Sequence, residues 1–198
     1  MNEWDLQEIL TDEWIDKKFN FNSSFYELIC WELMFPSWEI NNPKVKWDEP
    51  SIDFILYSEE KSEFLCVELK NKIKHRRDLL LGFCQVTHRT IQFKKQYNID
   101  KIKNAQSICY NQLEIQRGSK INKNFKTSPN IRRILMAKEF PYNPKCDEYF
   151  NLFNSLNLNG LHTQILNYSE HKEFERVKAI TNDDFKLLSG VECQKVKI

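Results

Sequence analysis

Asp53, Glu68 and Lys70 stand at the ends of two short apolar runs, Ile52 to Tyr57 and Phe64 to Leu69, joined by the polar connection Ser58-Glu59-Glu60-Lys61-Ser62-Glu63. That pattern predicts an antiparallel hairpin. A turn centred near Glu60 and Lys61 makes facing residue numbers sum to about 121, which sets Asp53 opposite Glu68 or one residue out of register. Facing side chains in such a pair lie roughly 5 Å apart at Cβ, and like charges there repel unless something offsets them. A divalent cation is the natural offset. The two-residue period of a strand turns Glu68 and Lys70 to one face, and Val67 and Leu69 to the other. Two carboxylates and an ammonium thus converge at one end of the hairpin. The set suits phosphodiester hydrolysis: carboxylate oxygens are the hard ligands Mg²⁺ prefers, the ion lowers the pKa of a bound water and screens the phosphate, and a lysine steadies the attacking oxygen.

Acid-x-Lys triplets alone carry little, since they also occur at Asp16/Lys18, Glu59/Lys61, Glu170/Lys172 and Asp184/Lys186. Glu68/Lys70 differs in closing an apolar strand whose hairpin partner begins with an acid. Asp53 followed by Glu68-Leu69-Lys70 resembles the D…(D/E)xK signature of the PD-(D/E)XK superfamily, the restriction-endonuclease-like nucleases. The resemblance implies an α/β fold with a mixed central β-sheet flanked by helices. It implies Mg²⁺ or Mn²⁺ held by Asp53 and Glu68 with the Leu69 carbonyl, water oriented or activated by Lys70, DNA before RNA as substrate, and a 5′-phosphate product. One departure from the family's name is that Pro50, rather than the residue before Asp53, supplies the proline. That proline does no chemistry.

Several elements must position this hairpin. Glu3 to Phe19 has helical spacing and predicts a peripheral amphipathic helix over residues 1–20. Ser24, with Glu27 three residues on as in a capping box and Pro36 as a stop, predicts a second helix over Phe25 to Phe35. The resemblance implies that a glutamate on the helix before the hairpin approaches the metal, and Glu27 in SFYELICWEL is similar to that position, Glu32 less so. Their alternatives are capping and solvent exposure.

Downstream, Asn71-Lys72-Ile73-Lys74-His75-Arg76-Arg77 is the densest positive cluster in the chain. Placed just past the acids, Lys72, Lys74, Arg76 and Arg77 suit phosphate contact, with a strength that falls as salt rises. Leu79 to Tyr97 predicts a long helix with Phe83, Val86, Thr90, Phe93 and Tyr97 on one side and Gln85, Arg89, Gln92 and Gln96 on another. In the superfamily a glutamine near the start of this helix helps hold water or phosphate, a role the resemblance gives to Gln85 in GFCQVTHRTIQF, with Arg89 one turn on as a nucleic-acid contact. The alternative is a polar helix face.

Further on, a helix is expected over Asp100 to Arg117, strands over Ile131 to Phe140 and Leu161 to Leu166 with a helix over Cys146 to Leu156 between them, and a short terminal helix reaching Leu188. The later pattern is similar to NucS-like nuclease domains, over roughly Ser24 to Asn167. The organisation expected is a single domain: a core over 24–167 with a C-terminal extension over 168–198.

Bulk properties narrow little. Net charge of +1 supplies no global attraction to nucleic acid, so binding must come from local clusters. Six cysteines without a CxxC pair, and no apolar run of membrane-span length, point to a reduced cytoplasmic protein with no membrane partner. A homodimer, or a subunit of a defence, repair or transposition complex, stays open. So do two rival functions. One is a non-catalytic nucleic-acid-binding or assembly module on a nuclease-like fold. The other is a two-carboxylate glycoside hydrolase, disfavoured because that chemistry keeps one acid protonated whereas Lys70 favours ionised ones.

Overall fold

The computed structural model describes residues 3–21, 23–41, 49–112, 124–139, 163–168 and 174–175. The helix from Cys146 to Leu156, the end of the helix at Arg117 and the terminal helix lie outside them. The elements run α1 (Glu3–Asp16), β1 (Phe19–Phe21), β2 (Ser24–Met34), β3 (Ser51–Ser58), β4 (Glu63–Lys72), α2 (Arg76–Gln96), α3 (Ile99–Gln112), β5 (Asn130–Glu139), β6 (Thr163–Tyr168) and β7 (Phe174–Glu175). The fold is mixed α/β. Five longer strands, β2 to β6, form one sheet in sequence order, extended by the short β1 and β7 at its edges. β2, β3 and β4 are an antiparallel meander, β5 and β6 run parallel to β4, and β7 is antiparallel to β6.

The hairpin register is as the turn predicts. Phe54 pairs with Val67 and Tyr57 with Phe64, so the next step sets Asp53 opposite Glu68. Both strands are buried along almost their whole length, because helices cover both faces of the sheet. On one face Phe64, Cys66, Ile55 and Tyr57 pack with Phe93 of α2 and with Ile102, Ala105 and Cys109 of α3. On the other, Phe54, Leu56, Leu65, Val67 and Leu69 pack with Leu6, Leu10, Trp14 and Ile15 of α1.

Two expectations are corrected here. Ser24 to Met34 is a strand, not a helix: Ser24 caps nothing, and the residues pair with β1 on one side and β3 on the other. A strand buried between two neighbours reads as a near-continuous apolar run, which periodicity cannot separate from a buried helix, and the Phe, Tyr, Ile and Trp content favours the sheet. Nor is α1 peripheral, since Leu6 and Leu10 are fully buried and the helix packs, with Trp14 and Ile15, against one face of the sheet.

At the opposite end of the meander from Asp53, Glu63 is buried. It accepts from the Tyr26 hydroxyl at 2.6 Å and from Arg132 Nε and Nη2 at 3.2 and 3.0 Å, tying β2, β4 and β5 together. Burial, then the Glu63 carboxylate, pushes the Tyr26 phenol well above its usual value. Removing one partner of a buried ion pair strands the other. Glu63→Ala is expected to cost about 2–4 kcal/mol, read as a lowered midpoint in urea unfolding with unchanged slope.

Candidate active site

Asp53 enters the site from the start of β3 and Glu68 from the facing position on β4. Asp53 Oδ2 accepts the Leu69 backbone N–H at 2.5 Å, which fixes its carboxyl over the end of β4. Lys70, two residues beyond Glu68 on the same face, donates from Nζ to Glu68 Oε1 at 2.8 Å. From α2, Arg89 Nη1 donates to Glu68 Oε2. Both oxygens of a carboxylate that is 2% exposed are therefore held by cations.

α2 can approach this closely because of one glycine. A Cβ on Gly82 would stand 2.8 Å from Leu135 Cδ1 on β5 and 3.5 Å from Lys70 Cγ. The helix starts where Asp78 Oδ2 accepts the backbone N–H groups of Lys74 and His75, each at 3.0 Å. Phe83, Val86, Thr90 and Phe93 are buried as the helical spacing predicts. Gln85 lies one turn before Arg89 on the same side of α2, and its Oε1 is buried with no hydrogen-bond partner. A buried amide oxygen without a partner costs free energy, which a bound water or ligand donor would recover.

Three further groups come from places the sequence did not single out or ranked low. Glu3, in the first turn of α1, sets Oε1 3.5 Å from Lys70 Nζ and accepts the Asn71 backbone N–H on Oε2 at 3.4 Å. One turn on, Gln7 Nε2 donates to Glu32 Oε1 at 2.6 Å. Glu32 is buried on β2 between the pairs Trp31/Phe54 and Leu33/Ile52, and so faces Asp53 from the other side. Its second oxygen accepts from Asn41 Nδ2 at 3.1 Å and Ser51 Oγ at 3.0 Å. Its φ of 51° is left-handed, a conformation non-glycine residues adopt at a cost of roughly 1–2 kcal/mol. Such positions persist where surrounding contacts over-determine them, often at functional sites.

Glu27 is not brought to this cluster. On β2 it pairs with Tyr57, four residues along β3 from Asp53, and its carboxylate binds Lys18 Nζ at 2.8 Å. With β2 a strand, the glutamate on the helix before the hairpin is Glu3. Glu32, the weaker of the two sequence candidates on this segment, is the one near Asp53. Lys72 ends β4 and Arg76 opens α2; Lys74, between them, and Arg77, in the first turn of α2, are exposed. Arg89 is 13% exposed and lies on Glu68.

Burial dominates the electrostatics of the site. Burial first, then the Glu68 and Glu32 carboxylates, push the Asp53 carboxyl well above the usual range against the pull of Lys70 and the Leu69 N–H. Burial raises Glu68 too, opposed by Lys70 and Arg89. For Lys70, burial acts downward but Glu68, Glu3 and Asp53 outweigh it, so its ammonium is held above the usual lysine value. At Asp53 the pull of Lys70 is therefore outweighed by burial and by the neighbouring carboxylates. A two-carboxylate hydrolase would need Glu68 free as a nucleophile or base, yet both its oxygens are engaged by Lys70 and Arg89.

Would these residues suit a divalent cation? Among the described residues, no three His, Cys, Asp or Glu side chains come together as a metal-holding group. Mg²⁺ does not require one: it is commonly held by one or two carboxylates, with waters and substrate phosphates completing the shell. Asp53 opposite Glu68 is a hard-oxygen pair of the kind such an ion takes. The donor chemistry fits.

Comparison with protein-family models, curated proteins and solved structures returns no match. Among the described residues no helix is long and apolar enough to cross a membrane.

Proposed function

We propose that this chain is a metal-dependent nuclease of the PD-(D/E)XK type, hydrolysing phosphodiester bonds of DNA, with RNA as the second candidate polymer. The observation that carries the reading is the facing pair Asp53 and Glu68 at the end of the β3/β4 hairpin, with Lys70 Nζ on Glu68. A mixed sheet with helices on both faces, and a glutamine-bearing helix directly after β4, supports the restriction-endonuclease-like form of that fold.

Asp53 and Glu68 would hold Mg²⁺ or Mn²⁺, which when bound lowers the pKa of a water and screens the phosphate. Lys70 stays protonated at neutral pH, because three carboxylates surround it. It therefore orients and steadies the attacking oxygen as a charged donor rather than removing its proton as a base. Gln85 offers its amide on the same side of α2 as Arg89, and Glu3 fixes the Lys70 ammonium from behind. Lys74 and Arg77, both exposed, would bind flanking phosphates, so affinity should fall with added salt.

Calorimetric titration of Mg²⁺ and Mn²⁺ into the wild type, Asp53→Ala and Glu68→Ala tests the cation site. Binding to the wild type that weakens at least about ten-fold in either variant is expected, since each removes one of two protein carboxylates. A wild type that takes up neither ion would leave the fold as a binding or assembly module.

A further inference from the structure

The proposed cation site already contains a competitor. Arg89 reaches Glu68 from α2 and holds Oε2, while Lys70 holds Oε1. Lys70 belongs to the same strand as Glu68 and is tied on its far side to Glu3. Arg89 belongs to a different element and contributes through a long side chain, whose helix is anchored independently by Phe83, Val86 and Phe93.

Resting on the nuclease reading, we infer that Arg89 is a latch: it pairs with Glu68 in the metal-free protein, and must release that carboxylate when a divalent cation binds. The released guanidinium then faces the same site from α2, where the charge it meets is that of a bound phosphate. A planar, permanently charged, bidentate donor suits both partners, carboxylate and phosphate, which a lysine at this position would not. The latch gives the empty site a way to tolerate its acids, and it ties cation uptake to substrate. Metal alone displaces Arg89 into solvent or weaker contacts; metal with a phosphate offers it a new partner. Arg89 is thus a positioning residue with two successive partners rather than a fixed surface contact for nucleic acid.

The test is Mn²⁺ titration by calorimetry of the wild type, Arg89→Gln and Arg89→Lys, with melting temperatures measured with and without the ion. Glutamine keeps a neutral donor for Glu68, and lysine keeps the charge without the fork. If the latched state holds about nine-tenths of the metal-free population, its removal makes Mn²⁺ binding about ten-fold tighter in Arg89→Gln, with Arg89→Lys between it and the wild type. Mn²⁺ should correspondingly raise the melting temperature of Arg89→Gln more than that of the wild type. Should Arg89→Gln fail to fold, Arg89→Lys decides: tighter binding than the wild type supports the latch. Uptake by the variants alone also supports it. Affinity equal to or weaker than that of a wild type that does bind Mn²⁺ would overturn the latch and leave the cation site standing. No uptake by any of the three would overturn both.

Discussion

Replacing Lys70 with methionine is expected to slow phosphodiester cleavage about 10²–10⁴-fold, the usual span for loss of a group that positions or transfers a proton in the transition state. Methionine retains the aliphatic stem that lies against the Gly82 backbone, so the approach of α2 is kept. Arg89 still holds the second Glu68 oxygen, so the carboxylate is not stranded. Cation affinity should accordingly stay the same or tighten, since a competing positive charge has gone from Glu68 Oε1. Single-turnover cleavage rates set beside Mn²⁺ titrations separate the two effects. A rate loss accompanied by an equal loss of metal binding would make Lys70 a structural prop for the acids, and the account of its ammonium would fail.

Asp53→Asn is expected to abolish activity and yet stabilise the fold at neutral pH by about 1–2 kcal/mol, the scale on which relief of a destabilised functional site commonly appears. The side-chain oxygen that accepts the Leu69 N–H remains, while a buried carboxyl that resists ionisation beside Glu68 and Glu32 is replaced by a neutral amide. For a chain of this size the gain corresponds to a rise of roughly 3–6 °C in Tm. The sign in pH follows from linkage. The Asp53 carboxyl is raised in the folded protein above its unfolded value of about 3.9, so the folded state holds a proton that the unfolded chain has released. Its contribution to stability is complete below the unfolded value and is lost as pH rises through the folded one. The advantage of Asp53→Asn should therefore vanish near pH 4 and grow toward neutrality. Thermal melts across that range check it, and an advantage that is constant with pH would mean the substitution acts through packing instead of charge.

The hairpin was legible because its information is local. Turn position, two apolar runs and the strand period place Asp53 opposite Glu68, and place Lys70 on the Glu68 face, without reference to any other element. The long helix after it was legible for the same reason, its buried stripe of Phe83, Val86, Thr90 and Phe93 recurring at the helical period. What failed was non-local. The segment Ser24 to Met34 carries a plausible cap and stop, and only its two strand neighbours make it a strand. That single error moved Glu27 toward the acids and left Glu32 outside them. Reading the segment as one more antiparallel strand beside β3 would have found Glu32. Glu3 and Gln7 carried no such signal: they reach Lys70 and Glu32 through the docking of α1 on the sheet, which is decided by Leu6, Leu10 and Trp14 rather than by the acids themselves.

Cleavage of a circular and a linear DNA by the purified chain, in Mg²⁺ and again in chelator, separates a nuclease from a binding module. The account predicts metal-dependent scission that chelator stops and that Asp53→Asn, although more stable, does not perform; nicking or linearising the circle would further assign an endonuclease. DNA that the wild type binds in Mg²⁺ and leaves intact, with Asp53→Asn indistinguishable from it, would contradict the account and make the acid pair a feature of a binding module.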